Sequence, residues 1–198
     1  MNFKEIIRDK TRDNLCKKLL AINIDCTLSE RGIIEEKLFN PWHRKSLGVI
    51  KINSDSPIEY INIVKKPGGK NSPPRWWNYF AIPAVTPNSK EGYFEVSSIR
   101  KKSFPVFGKV TSIVWKSNTN GENLANKFTQ DAEINSLAFK LGDIKVQSLH
   151  GNPSGYSIEI EFARSIRSGL LSLSAPNITI DINQWSTINK IANLCFEN

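Results

Sequence analysis

The sequence has few of the residues that build metal sites and disulfide frameworks. Its 198 residues include only three cysteines, Cys16, Cys26 and Cys195, and two histidines, His43 and His150. No two cysteines have C-x-x-C spacing, so a zinc site would need carboxylates for most of its ligands, which is an uncommon composition. We therefore expect no zinc fold and no cofactor. The odd number of cysteines favours a reducing compartment, and we expect a cytoplasmic protein.

Long apolar runs are also missing. A helix that crosses a bilayer needs about 18 or more consecutive apolar residues, whereas LLAINI at 19–24 is among the longest such stretches. The first residues, MNFKEIIRDKTRDN, lack the apolar core of a signal peptide. The sequence therefore predicts no transmembrane segment and no secretory leader.

The overall composition is that of a folded globular protein. Hydrophobic residues make up 39% and charged residues 23% of the chain, far from the polar, highly charged composition of disordered segments. A chain of this length can bury a core without staples, so we predict one domain over 1–198. The turn-rich SNTNG at 117–121 marks a possible division into a basic, strand-rich part, 1–116, and a helix-hairpin-helix part, 122–198.

Positive charge is concentrated in the middle of the chain. The formal net charge is +8, and residues 65–116 contain ten basic and two acidic residues. A positive field over one segment attracts polyanions and speeds their encounter, which predicts an acidic partner. The alternative is that these lysines serve solubility or keep sheet edges from pairing with other chains.

Hydrophobic spacing predicts helices at both ends and a third helical region between them. Asn2 and Glu5 have the spacing of a capping box before an N-terminal helix, which we expect to be solvated or interrupted near Thr11. A helical segment is predicted near 122–141, with Gly142 as its C-terminal stop. A C-terminal amphipathic helix follows a second capping-box pair, Asp181 and Gln184.

Short β-branched and aromatic runs predict strands in between. Examples are LGVIKI, EYINIVK, YFAIPAV, YFEVSSIRK, KVTSIVWK and IKVQSLH. The run YSIEIEFA at 156–163 alternates apolar and polar residues, which is typical of a strand with one buried face. Because the strands cluster and do not alternate with helices, we predict an α+β fold with a mainly antiparallel sheet.

The segment KKPGGKNSPPRWWNYF at 65–80 combines basic residues, glycines and aromatics. A phosphate-binding P-loop is excluded, because the Walker motif would need glycine at Val64 and Ser or Thr at Asn71. Basic grooves with stacking aromatics hold single-stranded nucleic acid, and Trp with clustered lysines also suits an acidic membrane surface. The predicted binding residues, with the second basic block at 99–109, are Lys65, Lys66, Lys70, Arg75, Trp76, Trp77, Tyr79, Arg100, Lys101, Lys102 and Lys109.

A purely structural role for the same segment is the alternative. Aromatic residues in a strand usually pack in the core, and Gly68-Gly69 suits a hairpin turn. Trp76 and Trp77 are adjacent, so in a regular strand they face opposite sides of the sheet. We therefore expect one of them in the core and the other exposed.

Catalytic patterns are weak. Asp143-Ile144-Lys145 with Asp131 upstream has the D…(D/E)-x-K spacing of many Mg²⁺-dependent nucleases, although Asp131 is predicted in a helix. Glu159 and Glu161 share one face of a strand, where outward-facing carboxylates are ordinary. The sequence thus predicts a non-enzymatic binding module for an anionic partner. The alternatives are a nuclease-like enzyme and a module that binds an acidic protein.

Overall fold

The computed structural model describes residues 9–33, 36, 45–70, 74–86, 92–103, 109–150, 154–162 and 178–198. Within these residues the chain forms an eight-stranded antiparallel sheet and four α-helices. The predicted α+β class is therefore confirmed. No helix in this part of the chain is long and apolar enough to cross a membrane.

The elements follow the predicted order closely. The helices are α1 Thr11–Ala21, α2 Glu122–Gln130, α3 Ala132–Leu141 and α4 Ile182–Phe196. The strands are β1 Cys26–Leu28, β2 Lys45–Ile52, β3 Tyr60–Lys66, β4 Arg75–Pro83, β5 Glu95–Lys102, β6 Val110–Ser117, β7 Gly142–Leu149 and β8 Gly155–Phe162. Only β1 had no counterpart among the predicted strands, because three residues are too few to show a period.

The strand order in the sheet is β1-β2-β3-β4-β8-β7-β5-β6. Every pair is antiparallel, and the β7-β8 hairpin lies between β4 and β5. One sheet therefore contains strands from both sides of 117–121, where the sequence suggested a division. The number of domains stays a prediction.

Local sequence signals explain where the helices begin and end. Asp131 accepts hydrogen bonds from the backbone of Glu133 and Ile134, so the predicted segment 122–141 forms two helices and not one. Gly142 ends α3 with φ of +146°, a conformation that favours glycine. The capping box of Asp181 and Gln184 at α4 is confirmed, with both reciprocal bonds present.

A helix near the N-terminus is also found among the described residues. The described helix begins at Thr11, whose backbone N–H and hydroxyl both donate to the Asp9 carboxylate. Asn2 and Glu5 lie outside the described residues.

The two faces of the sheet bury two separate apolar clusters. Side chains from all four helices pack with one face in the main core. Val64, Trp77, Tyr79 and Ala81 form a smaller cluster on the opposite face. Both faces of β4 are therefore buried, and the strand reads as a near-continuous apolar run.

Candidate anion-binding site

Both basic blocks of the sequence lie at the same end of the sheet. In the register of the strands, Lys66 at the end of β3 is opposite Arg75 at the start of β4. Lys102 at the end of β5 is opposite Val110 at the start of β6, next to Lys109. We define the basic end as Lys65, Lys66, Lys70, Arg75, Arg100, Lys101, Lys102 and Lys109.

Two carboxylates on the intervening strands connect the two blocks. Arg75 forms an ion pair with Glu161 on β8. Glu161 is directly opposite Asp143 on β7, and Asp143 accepts a hydrogen bond of 2.8 Å from Nε of Arg100. The row of charged side chains thus runs from Arg75 through Glu161 and Asp143 to Arg100. Arg75 and Arg100, which are 25 positions apart in sequence, therefore lie at the same end of the sheet.

The spacing between the blocks follows from the strand order. β4 and β5 are separated by β8 and β7, which is three strand spacings. At about 4.8 Å per spacing, the two blocks are about 14 Å apart. A single extended polyanion, with its charges a few ångströms apart, can contact both blocks at once.

The lysines of the basic end are its accessible charges. The side chain of Arg100 is 12% exposed, and both arginines are engaged with carboxylates. The exposed cations, which make no ion pair with described residues, are Lys66, Lys70, Lys101, Lys102 and Lys109. Exposed ammonium groups on flexible stems suit contacts with phosphate oxygens that need charge more than fixed geometry.

Lys65 has a different role from the other lysines of this end. Its ammonium group pairs with the Asp9 carboxylate at 3.2 Å and lies 4.8 Å from the centre of the Trp76 ring. Burial alone would raise the pKa of Asp9, but hydrogen bonds from Thr11 and the contact with Lys65 outweigh burial and lower it. Lys65 therefore anchors the residues that precede α1 to the sheet, and its charge is largely compensated.

The predicted aromatic partners are not accessible. Trp76 is 3% exposed in the main core, Trp77 is 4% exposed in the smaller cluster, and Tyr79 is fully buried. The two tryptophans do face opposite sides of the sheet, as expected, but both are buried because both faces of β4 are covered. A nucleic acid base cannot stack on a ring that other side chains already cover.

Trp77 instead packs against the guanidinium group of Arg75. The guanidinium carbon of Arg75 lies 5.4 Å from the centre of the Trp77 ring, within the range of a cation–π contact. Arg75 is therefore held between this ring and the Glu161 carboxylate. The aromatic part of the segment positions charge and does not offer a stacking surface.

Glu161 sits in an environment that disfavours its charge. Burial raises its pKa, and the neighbouring Asp143 adds to this effect, whereas Arg75 opposes it without cancelling it. Glu161 thus takes up a proton at a higher pH than an ordinary glutamate. Protonation removes a negative charge from the middle of the basic end.

Two further lysines belong to this end although sequence reasoning missed them. Lys45 starts β2 opposite Lys65, and Lys140 lies in the last turn of α3, directly before β7. Both are exposed. Each lies outside the basic segment at 65–116, so only the strand order could have brought them to the site.

The residues of the nuclease hypothesis are not brought together. Asp131 caps the first turn of α3 and pairs with Lys190, whereas Asp143 follows the last turn of that helix. Ten helical residues separate them by about 15 Å, too far to share one Mg²⁺ ion. Lys145 pairs with Glu95 at 2.9 Å. Among the described residues, no group of three or more His, Cys, Asp or Glu is placed to hold a metal ion.

The cysteines of the first and last helices belong to the main core. Cys16 and Cys195 are buried in α1 and α4. His43 lies outside the described residues.

Comparison with protein-family models, curated proteins and solved structures finds no match to this chain.

Proposed function

We propose that this protein is a non-enzymatic, cytoplasmic module that binds nucleic acid through phosphate contacts at the basic end. The observation that carries the proposal is the convergence of two basic blocks, distant in sequence, on one end of the sheet, where the two blocks together expose five lysines. Lysine contacts to phosphates release condensed counterions, which gives affinity without base recognition.

The burial of the aromatics determines the mode of binding. Trp76, Trp77 and Tyr79 are covered and offer no stacking surface, so from the described part of the basic end we expect little preference for single strands over duplexes and little sequence preference. The same burial removes the tryptophan anchors that would favour an acidic membrane surface. Vesicles and acidic proteins are therefore competing outcomes of the test.

The test is a fluorescence anisotropy titration of labelled DNA with the full chain. The ligands are single strands and duplexes of about 20 nucleotides, and the salt is varied from about 50 to about 200 mM, over which phosphate contacts weaken steeply. Vesicles of phosphatidylcholine with phosphatidylserine, and an acidic polyglutamate, are titrated in parallel.

The variants are designed as matched pairs. Lys101→Gln with Lys102→Gln removes two exposed charges from the basic end, and Lys51→Gln with Lys116→Gln removes two exposed charges from β2 and β6, close to the other end of the sheet. Binding that weakens with salt and fails only in the first pair supports the proposal. Absence of DNA binding, binding to vesicles or polyglutamate alone, or equal loss in both pairs overturns it.

A further inference from the structure

Two of the three cysteines lie in contact, although the sequence gives no sign of it. Sγ of Cys16 in α1 is 3.5 Å from Sγ of Cys26, the first residue of β1. The Cys26 thiol also donates a weak hydrogen bond to the Cys16 carbonyl oxygen, at 3.7 Å. Both residues are buried, at 4% and 3% exposure.

The turn between α1 and β1 creates this contact. The backbone N–H groups of Ile22, Asn23 and Ile24 bond to the carbonyls of Leu19 and Leu20, which ends the helix. Asn23 has φ of +63°, a left-handed conformation that asparagine tolerates and that reverses the chain direction. β1 therefore starts beside α1, and residues ten apart in sequence face each other.

We propose that Cys16 and Cys26 are a modification site that closes to an intramolecular disulfide when the protein meets a peroxide. The inference stands on the sulfur geometry and is independent of the proposed function. A disulfide needs an S–S distance of about 2.05 Å, so the two sulfurs must approach by about 1.5 Å, which rotation of the two cysteine side chains can supply.

The reaction balances with hydrogen peroxide as the oxidant. One thiol attacks the peroxide, breaking the O–O bond and giving a sulfenic acid and one water. The second thiol then displaces the sulfenic oxygen as a second water while the S–S bond forms. Two electrons pass from the sulfur pair to the peroxide, and the oxygen atoms leave as water.

Burial of the cysteine pair determines how fast it is oxidised and which oxidants reach it. Desolvation, with a contribution from Cys16, raises the pKa of the Cys26 thiol, so thiolate is scarce at neutral pH and oxidation is slow. A small neutral oxidant reaches such a pair better than a large disulfide does. Cys195 is equally buried, and its thiol bonds to the Ile191 carbonyl oxygen, so it provides a control with no thiol partner among the described residues.

The experiment treats the full chain with hydrogen peroxide, alkylates the remaining thiols in denaturant and maps tryptic peptides. We expect a mass loss of about 2 Da, one alkylated cysteine, Cys195, and the peptide 13–17 linked to the peptide 19–31, all reversed by dithiothreitol. The melting temperature should rise by about 5 °C, since the crosslink restricts the unfolded chain.

Variants assign the effect to the pair. Cys16→Ser and Cys26→Ser should each abolish the linked peptide and the rise in melting temperature, whereas Cys195→Ser should leave both. Mapping of the natural chain needs no variant, so the test survives if a serine variant does not fold. Sulfinic acids at Cys16 and Cys26, dimers linked between chains, or full alkylation of all three cysteines after peroxide would overturn the proposal.

Discussion

At the basic end β3 and β5 finish in lysines, whereas at the opposite end β4 and β6 are followed by Thr86 and Asn118, whose side chains bond to backbone. Thr86, after β4, donates its hydroxyl to the Leu149 carbonyl oxygen at the end of β7. Asn118, after β6, accepts from the Glu95 N–H and donates to the Tyr93 carbonyl oxygen. The opposite end therefore closes on itself through hydrogen bonds.

The two ends also differ in whether their acidic side chains are paired with cations. Asp25, Asp55, Glu59 and Glu122 are exposed near the turns of the opposite end. At the basic end Asp9, Asp143 and Glu161 are each paired with a cation. The opposite end thus provides stability through specific bonds, while the basic end carries accessible charge. Variants at the two ends should therefore separate stability from binding.

At the opposite end, the largest effect on stability is expected from Gly155→Ala. Gly155 has φ of +140°, and a Cβ there would overlap the Ile82 carbonyl oxygen. Urea unfolding should show a loss of about 3 kcal/mol or more. Gly32→Ala, at a positive φ but with no atom within 4 Å of its Cβ, should cost about 1 kcal/mol. Equal losses of unfolding free energy in the two variants would show that the short distance between residue 155 and the Ile82 carbonyl oxygen is unimportant.

The largest effect on binding is expected from the basic end. Lys66→Gln with Lys70→Gln should weaken DNA binding about tenfold at low salt and reduce the slope of log K against log salt by about 2, because two phosphate contacts are lost. Both lysines are exposed, so the melting temperature should change by less than about 2 °C. An unchanged salt slope would remove this block from the site.

Trp77→Ala tests whether the aromatic cluster acts through structure. Truncating this buried ring should cost about 3–5 kcal/mol in unfolding free energy, and DNA affinity per folded molecule should fall only about twofold, through the lost support of Arg75. Trp77→Phe should recover much of both. A large loss of affinity in a fully folded variant would contradict the conclusion that the ring is unavailable for stacking.

A smaller effect is expected from Glu161→Gln. Burial raises the pKa of Glu161, so as the pH falls towards the ordinary glutamate pKa of 4.5 this group protonates early and DNA binding strengthens. The variant should bind about threefold more tightly at pH 8, since a repelling charge is gone, and its affinity should rise less than that of the natural protein as the pH falls. The same pH dependence in both proteins would assign the effect to another group.

Much of the secondary structure was predictable because it depends on residues that are close together in sequence. The alternation of apolar and polar residues at 156–162 predicts a strand. The capping pair Asp181 and Gln184 predicts the start of a helix, and Gly142 predicts the end of one. The hydrophobic spacing predicts one long helix through Asp131. Its short carboxylate competes for backbone N–H groups, which is the property that divides the segment.

The candidate site was predictable in composition but not in arrangement. Charge counting found the residues from Lys65 to Lys109, but nothing local places the β7-β8 hairpin between β4 and β5. That insertion joins Arg75 to Arg100 through Glu161 and Asp143. Burial of both tryptophans was missed for the same reason, since covering both faces of β4 depends on distant parts of the chain.

The most direct measurement is acetylation footprinting of the lysines with and without duplex DNA, read by mass spectrometry at low salt. Each lysine reports its own accessibility in the natural protein, with no variant required. We expect strong protection of Lys66, Lys70, Lys101, Lys102 and Lys109 and unchanged reactivity of Lys51 and Lys116. Protection spread evenly over both groups, or confined to the second, would contradict the assignment of the basic end as the binding surface.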